Sequence, residues 1–136
     1  MQQAYSKIYK YVVSDDSNIT ELQAIVLNIG QEMYAHVLTA RSNVLCGHIP
    51  FYTAIFRQDK FMDIMALLEH KHWLSVLSEM EDGNTCLTES MLWHKQGVVT
   101  KLLDTVKTEN PILYEQILDT KDHASTTLRE MLMDSN

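Results

Sequence analysis

The chain has 136 residues, 46% of them hydrophobic and 21% charged, which suits one compact domain of ordinary globular composition. Its formal charge of −7 repels phosphate, and no block of Lys and Arg offsets this locally, so neither nucleic acid nor an anionic membrane surface is expected as a partner. Two cysteines, Cys46 and Cys86, are too few for a disulfide scaffold, no apolar run approaches the ~20 residues of a membrane span, and MQQAYSKIYKYVVSDD lacks the apolar run of a signal peptide; a soluble, cytoplasmic protein is expected.

Leu, Met, Glu, Lys and Gln favour helix, and only four glycines and two prolines interrupt it, so the composition predicts an all-α chain. From Gln2 to Val13, Ala4, Tyr5, Ile8, Tyr9 and Val12 fall three or four apart, on one helical face. The polar run Ser14 to Asn18 ends that helix, and Asn18 is placed to cap the next, with Glu21 three residues on. Ile19, Leu22, Val26, Ile29, Met33 and Val37 make a longer stripe. Gly30 sits inside it, which leaves two readings: one helix with a weak point, or two that abut. Ser42-Asn43 closes this part.

Two stretches then read alike: GHIPFYTAIFRQDKFMDIMALL from Gly47 and GNTCLTESMLWHKQGVVTKLL from Gly83. Laid over each other, Gly47 falls on Gly83, Pro50 on Cys86, Phe51 on Leu87, Ala54 on Ser90 and Ile55 on Met91. With one extra residue near Lys60, Ile64 falls on Val99 and Leu67-Leu68 on Leu102-Leu103. A third start, ASTTLREMLM, sets Ala124 for the glycine and Leu128 for the leucine. The starts lie 36 and 41 residues apart, near the period of helical repeat arrays. Each copy predicts a helical hairpin. Glycine permits a turn, Pro50 suits a first helical position, and Thr85 or Thr126 caps the equivalent helix. A polar break, Arg57-Gln58-Asp59 or His94-Lys95-Gln96, reverses the chain. Asn110-Pro111 looks like the cap and first turn of an inserted helix, and Trp73 to Met80 suggests a short turn. Such pairs bury their apolar faces only by stacking.

This pattern resembles the ankyrin repeat, whose consensus runs Gly-x-Thr-Pro-Leu-His-x-Ala, then a Gly-His reversal, then Val-x-x-Leu-Leu. Gly83-x-Thr85-x-Leu87 and Val98-Val99-x-x-Leu102-Leu103 match it, as do Gly47, Pro50, Ala54, Ile64 and Leu67-Leu68, over roughly Gly47 to Met133. The departures are specific. Tyr52 and Thr88 replace the consensus histidine, Gln58-Asp59 and His94-Lys95 replace the reversal, and longer, partly helical text replaces the finger, so regular β-hairpin fingers are not expected. The resemblance implies stacked antiparallel helical hairpins, an ankyrin-like solenoid over residues 47–136, with residues 1–46 as an N-terminal helical cap within a single domain 1–136. Degenerate arrays of this style occur in viral proteins and in effectors of intracellular bacteria, which for a translocated effector implies the host cytoplasm.

Packing competes with chemistry as the role of each reactive side chain. Cys86 and His94 offer a thiol and a base, but eight residues apart they sit at opposite ends of one helix, so packing is preferred for Cys86. Cys46 with His48, or His70 with His72, offers two metal ligands without a second pair at zinc spacing, so no metal or cofactor is expected. Asp15-Asp16 and Glu79-x-Glu81-Asp82 lie in polar loops, and the methionines Met62, Met65, Met91 and Met131 follow the apolar stripes as core filling. Phe56-Arg57 and Leu92-Trp93 close the first helix of each copy, where the ankyrin resemblance implies a concave partner-binding face. The expected contact residues are His48, Phe56, Arg57, Asn84 and Trp93, and the expected function is non-catalytic binding of another protein with a basic surface. The alternatives are an accessory or oligomerisation domain of a larger enzyme, and a small thiol or metal-dependent enzyme.

Overall fold

The computed structural model of the chain describes residues 2–41, 44–45 and 47–134. The close expected at Ser42-Asn43 and the Cys46 half of the Cys46–His48 pair lie outside them. The described chain is mostly helical, with ten helices and one two-stranded hairpin.

Helix α1 (Gln2–Val13) buries Ala4, Ile8, Tyr11 and Val12. The Asn18 side chain accepts the Glu21 N–H at 3.3 Å and starts α2 (Ile19–Ile29). Gly30, at φ +85°, ends α2, and α3 (Gln31–Leu38) follows at once, so the long stripe is two abutting helices. Next come α4 (Ile49–Phe56), the single residue Arg57, and α5 (Gln58–Ala66). Where the sequence suggests a short turn from Trp73, the chain instead forms α6 (His70–Leu77), because Trp73, Val76 and Leu77 fall on one buried face.

The expected absence of fingers is corrected between α6 and α7. Strand β1 (Met80–Glu81) pairs antiparallel with β2 (Asn84–Thr85), with Met80 opposite Thr85 and Glu81 opposite Asn84. Asp82 and Gly83 turn the chain with φ of 50° and 87°, two consecutive positive values, which is the geometry a tight hairpin selects Asp-Gly for. The signal was in the text at Asp82-Gly83, hidden by the shortness of its strands. A Cβ on Gly83 would stand 2.5 Å from His123 Nδ1, and one on Gly47 would stand 2.7 Å from Glu81 Cγ, so each of these loops admits the next one only against a bare Cα.

Thr85 caps α7 (Cys86–Leu92) reciprocally: its hydroxyl accepts the Thr88 N–H at 3.2 Å, and the Thr85 N–H donates to the Thr88 hydroxyl at 2.8 Å. Helix α8 (Gln96–Glu109) follows, then α9 (Pro111–Leu118), capped by Asn110, whose side chain accepts the Leu113 N–H at 3.2 Å. Before α10 (Leu128–Asp134) the cap is Thr127 rather than Thr126; its hydroxyl accepts the Glu130 N–H at 3.1 Å.

The burial pattern also moves the register between the two copies. Thr53 and Ser90 each donate a buried hydroxyl to the carbonyl four residues back, at 2.9 and 2.7 Å, which aligns Thr53 with Ser90 and Phe56 with Trp93. In the second helices, Phe61, Ile64, Met65 and Leu68 share the burial of Val99, Leu102, Leu103 and Val106. The one extra residue therefore lies in the second copy, at the break between α7 and α8, and not in the first near Lys60. A further recurrence joins α3, α6 and α9: Tyr34-x-x-Val37-Leu38, Trp73-x-x-Val76-Leu77 and Tyr114-x-x-Ile117-Leu118, with the aliphatic pair buried in all three.

Helix contacts follow the same order. Helix α4 packs on α5 and α7, α7 on α8 and α10, α5 on α8, and α6 touches both α3 and α9. One connected cluster of buried side chains runs from Ala4 to Leu128. Two glycines carry opposite expectations. Gly83→Ala should destabilise the protein by at least about 1–2 kcal/mol, because its side chain enters the left-handed region and its Cβ also meets the His123 ring. Gly97→Ala, in α8 with open space around the new methyl, should stabilise by up to about 1 kcal/mol. Urea unfolding of both variants checks the two signs.

Candidate functional site

The site grows out of the contact between α4 and α7. Tyr52 and Phe56 lie one turn apart on α4, with ring centroids at 5.3 Å. Trp93 ends α7, and because the two helices pack together its indole meets Phe56 edge-to-face, 5.4 Å between centroids at 79°. The Trp93 Nε1–H donates to Glu89 Oε1 at 2.9 Å, one turn back on α7. Phe56, Leu92 and Trp93 remain 44%, 56% and 50% exposed, so this aromatic surface faces outward. The other tryptophan behaves in the opposite way: Trp73 is 3% exposed and gives its indole N–H to the Leu68 carbonyl at 2.8 Å.

Of the five expected contact residues, Phe56 and Trp93 come together. Arg57 adjoins them, but its Nη2 pairs with Asp15 Oδ1 at 2.7 Å, and its side chain is 23% exposed, so it ties the α1–α2 loop to the end of α4. Asn84 lies in β2, before α7, separated from Trp93 by the length of that helix, about 10 Å. His48 is a correction. It is the residue before α4, fully buried, with its ring against the edge of Phe51, and it offers no surface to a partner. Leu92, which the sequence sets beside Trp93 at the end of the first helix, joins the site; Tyr52 and Glu89 belong to it and were missed by sequence reasoning, although the pairs Tyr52/Phe56 and Glu89/Trp93 carry the four-residue spacing that puts side chains on one helical face. His94, the residue after Trp93, lines a groove of about 290 Å³ between α7, α8 and α10, together with Met91, Gln96, Met131 and Asp134.

The reactive candidates are placed elsewhere. Cys86 begins α7 as a free, fully buried thiol, and burial pushes its pKa up to about 12, away from thiolate chemistry. His94 is exposed beyond the other end of the same helix. His70 stands 3.4 Å from Glu109 and edge-on to Trp73, an arrangement that links α6 to α8. Among the described residues no three His, Cys, Asp or Glu side chains gather as a metal would need. Among the described residues no helix is long and apolar enough to cross a membrane.

Burial lowers the His48 pKa to about 4, against 6.5 for the free side chain. Between these values the unfolded chain binds the proton and the folded chain does not. This contribution to stability is therefore full above about pH 6.5 and is lost as pH falls toward 4, a change on the order of 3 kcal/mol. Urea midpoints across that range should fall with acidification, and His48→Phe should flatten the profile. A second check concerns the thiol. In a Cys46→Ser background, Cys86 should resist iodoacetamide in the native state and react once the chain is unfolded.

No protein-family model matches the chain, and no curated protein or solved structure matches it.

Proposed function

We propose that the chain is a non-catalytic protein–protein interaction module of ankyrin-repeat type, a stack of antiparallel helical hairpins behind an N-terminal helical cap. The recurring burial of α2–α3, α5–α6 and α8–α9, together with the α4–α7–α10 and α3–α6–α9 contact series, supports the stack. On this reading the unit carries a third helix, absent from the ankyrin consensus, and Asp82-Gly83 forms its finger. The free thiol in the core suits a reducing cytoplasm.

A single observation carries the binding function: Phe56, Leu92 and Trp93, with the half-buried Tyr52 beside Phe56, form an outward aromatic and aliphatic surface on a chain that buries Trp73, Tyr11, Tyr34 and Phe61. Large rigid side chains presented together on packed helix ends are the anchors of protein interfaces, since they bury much area with little loss of conformational freedom. The proposed contact set is therefore Phe56 and Trp93 with Tyr52 and Leu92.

Trp93→Ala and Phe56→Ala provide the test. Each should abolish capture of the partner proteins that the parent chain retains from cell extract, while changing stability by less than about 1 kcal/mol. Unchanged capture, or a collapse of the thermal transition, would assign these rings to packing instead.

A further inference from the structure

We propose that the occupant of the Tyr52–Phe56–Leu92–Trp93 surface is a cationic segment of a partner protein, with Lys or Arg side chains flanking an apolar centre. This deepens the protein-binding function and rests on it. The first observation is the orientation of Trp93. Its N–H, the positive edge of the indole, is satisfied internally by Glu89 at 2.9 Å. A partner therefore meets exposed ring surface and an adjacent carboxylate, and both attract cations.

The second observation is the charge around the rings. Arg57, the cation next to Phe56, is already neutralised by Asp15 at 2.7 Å. Asp16 follows Asp15, and Asp59 lies two residues beyond Arg57; both are exposed. Glu89 lies one turn before Trp93 on α7. Asp15, Asp16, Asp59 and Glu89 thus stand against Arg57 and Lys95 on the elements that carry or adjoin the rings, in a chain of net charge −7. The apolar rings are bordered by acidic residues on these elements. An acidic segment would meet repulsion there, whereas a basic one is steered in and held.

The experiment uses the full chain and its own fluorescence. Trp73 is sealed in the core, so a change in emission on adding peptide reports Trp93. Three synthetic peptides of about twelve residues share a Leu/Ala centre and differ at both flanks, carrying Lys and Arg, Glu, or Gln, so that only charge differs. The basic peptide should give a saturable change, bind about tenfold tighter than the acidic one, and weaken severalfold between about 0.05 and 0.3 M salt. Glu89→Gln with Asp59→Asn should weaken it by about threefold to tenfold without moving the thermal transition, and Phe56→Ala should abolish it.

Equal binding of all three peptides that Phe56→Ala still abolishes would overturn the charge assignment and leave the docking surface standing. Basic-peptide binding indifferent to Phe56→Ala, or no change in emission, would overturn the proposal. Failure of the protein-binding function itself reads differently, as capture from extract that survives both ring substitutions. Emission that shifts with protein concentration alone, together with a Phe56-dependent dimer in sedimentation, would assign the surface to a second copy of the chain and overturn the proposal.

Discussion

The packing of α4 against α7 is the constraint on which the rest of the structure depends. Both helices are short, and both are buried along most of their length, so each needs a neighbour that comes close. Small side chains allow it: Thr53, Ala54 and Ser90 are fully buried. The two hydroxyls among them would be costly there without partners, and each finds one in its own helix, on the Ile49 and Cys86 carbonyls. A polar atom thus enters the core without leaving an unsatisfied group, and the helices approach at their narrowest residues. Their ends are then level, and Phe56 meets Trp93.

Beside the shared apolar core, polar contacts tie the N-terminal helices to this centre. Lys60, buried in α5, donates to the Ser17 carbonyl at 3.1 Å and sits 4.0 Å above the Tyr11 ring, while the Tyr11 hydroxyl donates to Asp63 Oδ2 at 2.8 Å. Arg57 adds its pair with Asp15. The buried ammonium has a hydrogen-bond acceptor and an aromatic face in place of a carboxylate, which suits a site where the loop between α1 and α2 must close over the chain. The Tyr34 hydroxyl and the Gln31 amide make the corresponding ties from α3, to the Ile64 and Leu67 carbonyls at 2.7 and 2.9 Å. The same clamps change the meaning of Arg57. Its guanidinium is an internal fastening, and the binding surface is left to the rings.

Much of the local structure was legible in the sequence. Asn18 and Asn110 could be named as caps because a cap is decided by a side chain and a backbone N–H three residues away. The helix after Pro111 and the packing of Cys86 follow from equally short-range rules, whereas at Gly30 the sequence left one helix or two open and the structure decides for two. The hairpin at Asp82-Gly83 and the Tyr/Trp-x-x-Val/Ile-Leu recurrence were also written in the chain, but alignment by glycines drew attention to a different register. Gly47 and Gly83 both adopt positive φ, yet they stand at different distances from the helices they precede, one residue before the cap position for Gly47 and two for Gly83. Conformation at a glycine is a property of the turn, whereas register is a property of the buried face.

By itself the sequence determined that the chain is helical, where most helices begin, and which side chains are apolar, since propensity, capping and periodicity all act within a few residues. Only the tertiary structure decided which apolar side chains stay outside. His48 and Phe56 sit at the two ends of α4, and nothing in their local text distinguishes a histidine sealed against Phe51 from a phenylalanine left half exposed beside Trp93. The difference comes from neighbours: the loops on successive helices close over one end, while at the other α4 and α7 end side by side with their rings uncovered. Exposure is set by what packs across a helix end, and those residues are distant in the chain.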